Sequence, residues 1–165
     1  MTKILHIDKD DDIRFLYEEE LTEEGYEVIG TSNCEGILDK IAKLNPNIII
    51  LEPKFPKVDG LDILQRIRST YYNMPVIIST TYPAFRYDPR SITADYLVIK
   101  CFDLRELKLK IKMALDCRKV FQEELISAGL MELSTNKGGK RDGDYNSCQG
   151  GVGRFFHQDC GLSIR

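Results

Sequence analysis

Asp8, Lys9, Glu52, Thr80 and Lys100 are the residues of this sequence whose types and placement allow chemistry. They supply two carboxylates, a hydroxyl and two ammonium groups, each at the downstream end of a short apolar run. The run at residues 47–52, Asn-Ile-Ile-Ile-Leu-Glu, is the clearest. Consecutive β-branched residues fit a strand buried on both faces of a parallel sheet, and the C-terminal edge of such a sheet is where ligands bind. Glu52 therefore stands at the mouth of a pocket. The plainer alternative makes Lys9 and Glu52 a solvated salt bridge worth less than about 1 kcal/mol, Thr80 a strand end and Lys100 a surface lysine.

Other candidates are weaker. Asp10, Asp11 and Asp12 could form a metal cluster, but acids that open a helix favour its positive end, and that is the simpler reading. Cys148, His157 and Cys160 are of zinc-ligand type, yet they lack a Cys-x-x-Cys pair and a fourth partner. His6 alternates inward on its strand and reads as a core or edge residue.

The elements that must position the five residues alternate regularly. Strands are predicted at residues 3–8, 26–30, 47–52, 75–80 and 96–100. Between them lie helices: one through Ile13, Leu16, Tyr17 and Leu21 closed by Gly25, one capped at Ser32 or Asn33 with Ile37, Leu38, Ile41 and Leu44 inward, and one presenting Leu61, Leu64 and Ile67. Asp103 and Glu106 are spaced as a capping box for a last helix through Leu104, Leu107, Ile111 and Leu115. Five strands in alternation with helices give an α/β fold, a doubly wound parallel five-stranded sheet with right-handed crossovers. Its edge gathers Asp8, Lys9, Glu52, Thr80 and Lys100.

Composition narrows the function. Lysine and arginine number 23 against 26 acids, a formal charge of −3, and the two signs are interspersed, which argues against a nucleic-acid surface. No apolar run reaches the roughly 18 residues needed to cross a bilayer, and a strand pattern starts too soon for a signal peptide, so a cytoplasmic location is expected. Five cysteines without close pairing read as reduced thiols.

Four segments, in register, resemble the receiver domain of two-component response regulators over residues 3 to about 116. They are Ile4-Leu-His-Ile-Asp8-Lys9-Asp10-Asp11-Asp12, Glu52-Pro-Lys-Phe-Pro56-Lys-Val-Asp59-Gly60, Pro75-Val-Ile-Ile-Ser-Thr80-Thr81, and Ala94-Asp95 through Lys100-Cys101-Phe102-Asp103-Leu104. The resemblance implies a flavodoxin-like (βα)5 fold. It also implies a site in which an aspartate takes a phosphoryl group from a histidine kinase, beside magnesium held by that aspartate and an acidic pair, with a hydroxyl and a lysine binding the phosphoryl oxygens. Asp8, Thr80 and Lys100 match that pattern. Glu52 stands at the phosphoacceptor and Lys9 at the second acid, so the chain resembles a pseudo-receiver.

Magnesium requires a tight octahedron of hard oxygens, and a lysine in place of a ligand removes an anion and adds a repelling cation. Magnesium binding is therefore expected to be weak or absent, with Glu52 instead locked in an ion cluster between Lys9 and Lys100. No catalytic residue is assigned and no enzyme is expected. The expected function is a stand-alone receiver in phosphorelay-type signalling, working through protein contacts with a histidine kinase or downstream effector. Two alternatives stay open: a receiver phosphorylated on a neighbouring acid such as Asp8 or Asp10, and an unrelated flavodoxin-like enzyme or nucleotide binder. Against the latter, the sequence has no Gly-x-Gly-x-x-Gly or Gly-x-x-x-x-Gly-Lys-Ser/Thr loop.

Departures extend beyond the site. Pro83 and Pro89 fall where receivers usually carry their fourth helix, which predicts at most a short helix or irregular loop. Leu97 takes the usual position of the aromatic switch residue, with Tyr96 on the opposite strand face. Cys101 replaces a proline, and a trans bond is expected there. The domains expected are 1–117, receiver-like; 118–133, a helical extension where a partner or a second copy would dock; and 134–165, a tail read as linker or disorder from the eight of twelve glycines at 129–161.

Overall fold

The computed structural model describes residues 1–129 and contains one parallel sheet in the order β2-β1-β3-β4-β5. Its strands are β1 (Lys3–Ile7), β2 (Glu27–Thr31), β3 (Ile48–Leu51), β4 (Val76–Thr80) and β5 (Tyr96–Ile99). Helices α1 (Asp11–Glu23), α2 (Ile37–Leu44), α3 (Gly60–Thr70) and α4 (Arg105–Ser127) supply the crossovers and the last element. The expectations for residues 130–165, including Cys148, His157 and Cys160, lie outside the described residues.

Strand alternation sorts the core into two layers. Leu5, Ile7, Ile49, Leu51, Val76 and Ile78 face α2 and α3 and meet Ile37, Ile41, Leu61, Leu64 and Ile67. Ile4, Ile48, Ile50, Ile77 and Val98 face the other way, onto Tyr17 and Leu21 of α1 and Leu107, Ile111 and Ala114 of α4. All four residues of β3 are buried, as its unbroken apolar run requires. The register pairs Ile7 with Leu51, Leu51 with Ile78 and Thr80 with Ile99. Asp8, Glu52, Thr80 and Lys100 therefore leave the sheet at neighbouring points on one edge.

Two local expectations need correction. Neither Ser32 nor Asn33 caps α2. The Asn33 side chain accepts from the Glu35 amide in a preceding turn, and the helix begins only after Gly36, whose φ of 59° is left-handed. The Asp103–Glu106 capping box does not form either. Asp103 accepts from the Arg105 backbone and guanidinium, the N-cap is Leu104, and α4 starts at Arg105. The exposed Asp103 carboxylate is engaged by Arg105 and does not complete the reciprocal cap. Helix α2 closes at Asn45, with φ of 46°, directly before Pro46.

Between β4 and β5 there is no α-helix but two 3-10 turns, Pro83–Tyr87 and Pro89–Thr93. Asp88, before the second proline, is extended at ψ 122°, as steric conflict with the proline ring dictates. Two arginines fasten this segment. Arg90 reaches Asp59 and Asp62 at the start of α3 as well as Asp88, and Arg68 of α3 bonds the Thr93 carbonyl and Asp95. No peptide bond among the described residues is cis, so Cys101 follows Lys100 through a trans bond.

Helix α4 continues without a break past residue 117. Arg118 donates to the Asn47 carbonyl at 2.7 Å, anchoring that turn to the start of β3. Beyond it Val120 and Phe121 are exposed.

Gly60 opens α3 where the chain doubles back on the loop that follows Glu52, its amide bonding the Pro53 carbonyl at 2.9 Å. A Cβ there would lie 2.6 Å from both Pro53 Cα and the Pro53 carbonyl oxygen, backbone atoms that cannot step aside. Gly60→Ala is expected to cost about 1–3 kcal/mol, the range for overpacking a filled position, read as a lower urea midpoint at unchanged slope.

Candidate functional site at the carboxyl edge of the sheet

The edge residues meet around one ammonium group. Lys100 Nζ lies 2.5 Å from Asp8 Oδ2 and 2.7 Å from Glu52 Oε2, and its side chain is 6% exposed. Asp8 and Glu52 are 0% and 2% exposed. The second Glu52 oxygen accepts from the Lys54 amide at 2.8 Å and the Thr80 hydroxyl at 3.1 Å, while Thr80 Oγ1 in turn accepts from the Tyr82 amide. Asp8 Oδ1 takes the Asp10 amide at 3.1 Å. Each carboxylate oxygen thus has a partner, the condition under which buried charge is tolerable.

Burial works against charge on Lys100, but hydrogen bonds and attraction from Asp8 and Glu52 prevail and raise its pKa above the ordinary lysine value. Burial likewise opposes the charged form of Asp8, and contacts with His6, Lys100 and the Asp10 amide outweigh it and hold the carboxyl below its ordinary range. Asp8 and Lys100 are charged at neutral pH.

Lys9 departs from its expected place. Its ammonium donates to the Lys54 carbonyl at 2.7 Å on the exposed rim and makes no ion pair with Glu52. The ion cluster is Asp8–Lys100–Glu52, and Lys9 braces the loop beyond it. The reason is reach: Lys9 follows Asp8 on the outer side of the strand end, and Asp8 has turned inward to the shared lysine.

Beneath the cluster lies a polar layer whose contacts were not expected from sequence. His6 is fully buried, stacks on Tyr17 with ring centroids 4.6 Å apart, and puts Nε2 3.5 Å from Asp8 Oδ2, beyond a good hydrogen bond; neither ring nitrogen has a hydrogen-bond partner. The Tyr17 hydroxyl meets Ser79 Oγ at 2.8 Å. Burial, assisted by Lys100 and Arg14, outweighs the pull of Asp8 and lowers the His6 pKa below 6.5. Arg14 donates to the Asp8 carbonyl at 2.6 Å and pairs with Asp11. Inward alternation of His6 was the only sequence signal for this layer. Asp10 is the N-cap of α1, accepting from the Asp12 and Ile13 amides, and Asp11 and Asp12 occupy its first turn.

Leu97 packs in the α2/α3 layer and Tyr96 in the opposite one, with Lys110 Nζ 4.8 Å from the Tyr96 ring centre.

The donor set does not fit a divalent cation. Asp8 and Glu52 are the buried acids of the cleft and share a lysine, the Lys54 carbonyl is taken by Lys9, and Lys9 adds positive charge at the entrance. Among the described residues no three His, Cys, Asp or Glu side chains are grouped to hold a metal.

A doubly wound parallel sheet with acids, a hydroxyl and a lysine at one carboxyl edge defines a flavodoxin-like regulatory domain. The chain belongs to the response regulator receiver domain family, whose model matches residues 4–112, and it is thus a receiver of two-component signalling. Sporulation initiation phosphotransferase F of Bacillus subtilis is 32% identical over 112 residues, covering 67% of this chain and 90% of that protein. The probable transcriptional regulator ycf27 of Pyropia yezoensis is 33% identical over 144 residues, 82% of this chain, which spans 59% of that relative's length. Among solved structures, the response regulator TrrA of Thermotoga maritima in complex with Mg(2+)-BeF is 38% identical with a TM-score of 0.67, covering 70% of this chain and all of that one. TrrA is also similar, at a TM-score of 0.66, in its complex with the histidine kinase ThkA, matching 70% of this chain and 99% of that one at 38% identity. The family is a signalling family rather than an enzyme family. No described helix is long and apolar enough to cross a membrane.

Two outcomes follow from the charge arrangement. Lys100→Met would leave two buried carboxylates sharing no cation, costing about 3–5 kcal/mol at neutral pH; chemical denaturation checks this, and the deficit should shrink on acidification as one carboxyl takes a proton. His6, held neutral in the fold, is protonated more readily in the unfolded chain, so folding stability should fall as pH drops below 6.5 by up to about 1.4 kcal/mol per pH unit. His6→Leu removes that part of the slope while leaving His157 unchanged.

Proposed function

We propose that this chain is a receiver whose switch is held in one charge state and which acts by phosphorylation-independent protein contacts, in the cytoplasm, on a histidine kinase or a downstream effector. The reading assigns Glu52 to the phosphoacceptor position and Asp8, Lys9, Thr80 and Lys100 to the surrounding pocket, with Leu97 and Tyr96 at the switch positions. The observation that carries it is the saturation of Glu52: one oxygen on Lys100, the other on Thr80 and the Lys54 amide. These are the groups that would receive phosphoryl oxygens, already engaged by a carboxylate one methylene longer than aspartate.

The relative TrrA binds a magnesium–beryllofluoride group and the kinase ThkA. For this chain the kinase-type partner is carried over and the magnesium-dependent chemistry is not, because its donors are already paired. Phosphorylation on Asp8 or Asp10 is disfavoured, since Asp8 is buried on Lys100 and the Asp10 side chain caps α1. A second copy docking along the exposed part of α4 stays within this reading.

Acetyl phosphate with magnesium should leave the wild-type mass unchanged, whereas Lys9→Asp with Glu52→Asp should accumulate an acid-stable, base-labile acyl phosphate. A stable phosphoryl group on wild-type Glu52, or none on the double variant, would refute the assignment.

A further inference from the structure

Beside the cluster, the loop after Glu52 and the first 3-10 turn enclose an open groove of about 640 Å³. Phe55, Val58, Tyr82 and Phe85 supply apolar lining, and Val58 and Tyr82 are exposed to it at 40% and 41%. Its charges are uneven. The lining acids Asp59 and Asp88 both pair with Arg90, which also holds Asp62. The lining cations are not neutralised: Lys54 rests its ammonium 3.8 Å from the Tyr82 ring centre, and neither it nor Lys57 makes an ion pair among the described residues. Arg86, on the same turn, likewise has no carboxylate partner among them.

The groove is therefore apolar at its floor, with acids engaged by Arg90 and lysines that make no ion pair at its rim, and the Arg90 clamp holds its wall in place before any ligand arrives. A volume of this size accepts one or two large side chains. We propose that it docks an acidic segment of a partner protein bearing a large apolar anchor, the anchor on Phe55, Tyr82 and Phe85 and the acids over Lys54 and Lys57. This deepens the proposed protein-contact function by naming the partner's chemistry. Attraction at the rim sets association rate and salt dependence, and the buried anchor sets residence time.

The test uses the full chain and a fluorescein-labelled peptide, Asp-Glu-Leu-Phe-Glu-Asp, followed by anisotropy. Saturable, salt-sensitive binding is expected, weakened at least about tenfold by the pair Lys54→Glu and Lys57→Glu. Ala84→Trp, which fills the groove from an exposed position, should abolish it with circular dichroism unchanged. A peptide with alanines at both apolar positions, or with lysines for its acids, should not bind. No saturable binding, affinity indifferent to both sets of variants, or equal binding of the alanine peptide would overturn the proposal. So would self-association in sedimentation that the same variants abolish, since the occupant would then be a second copy. Phosphoryl incorporation is measured without the peptide, so either reading can fail alone.

Discussion

One ammonium shared by two buried carboxylates is the constraint around which this receiver is organised. Lys100 lies within 2.7 Å of both Asp8 and Glu52, and all three are nearly sealed from water. A buried ion cluster is weak evidence of net stability, but it is costly to leave half-satisfied. The neighbouring structure accordingly supplies the missing bonds. The Lys54 amide and Thr80 hydroxyl complete Glu52, the Asp10 amide completes Asp8, and the tight turn at Gly60 sets the loop that brings Lys54 into place.

The same geometry explains how Glu52 and Lys9 work together. Glutamate extends the carboxylate outward to where Thr80 and Lys100 can both reach it. Lysine at position 9 adds a cation at the entrance and takes the Lys54 carbonyl, so that oxygen is already bonded. Below, His6 is neutral and without a hydrogen-bond partner against Asp8, adding no second positive charge to the cluster at neutral pH. The β4–β5 connection follows a separate logic: its prolines prevent a regular helix, and Arg90 and Arg68 replace helical packing with ion pairs and carbonyl contacts.

Much of this was legible in the residue order. Apolar runs placed β1, β3 and β4, because a strand buried on both faces has little alternative, and the acids, threonine and lysine at the strand ends had to converge. The proline pair announced the missing helix. What was not legible depended on side-chain reach. Lys9 and Lys100 are the same residue type at two strand ends, yet one points into the cleft and the other lies on the rim. Asp103 preferred Arg105 to a capping box, and Gly36 rather than Ser32 or Asn33 opened α2. The His6–Tyr17–Ser79 layer includes a hydrogen bond between Tyr17 and Ser79, 62 positions apart, and only the register of the strands brings it together.

The most direct measurement of the central claim is an amide NMR titration of the wild-type chain with beryllofluoride and magnesium, the pair that TrrA holds in its crystal structure. If Lys100 is already committed to Asp8 and Glu52, the resonances of Lys54, Thr80 and Lys100 should stay where they are at saturating additions. Saturable movement of those three signals would contradict the account.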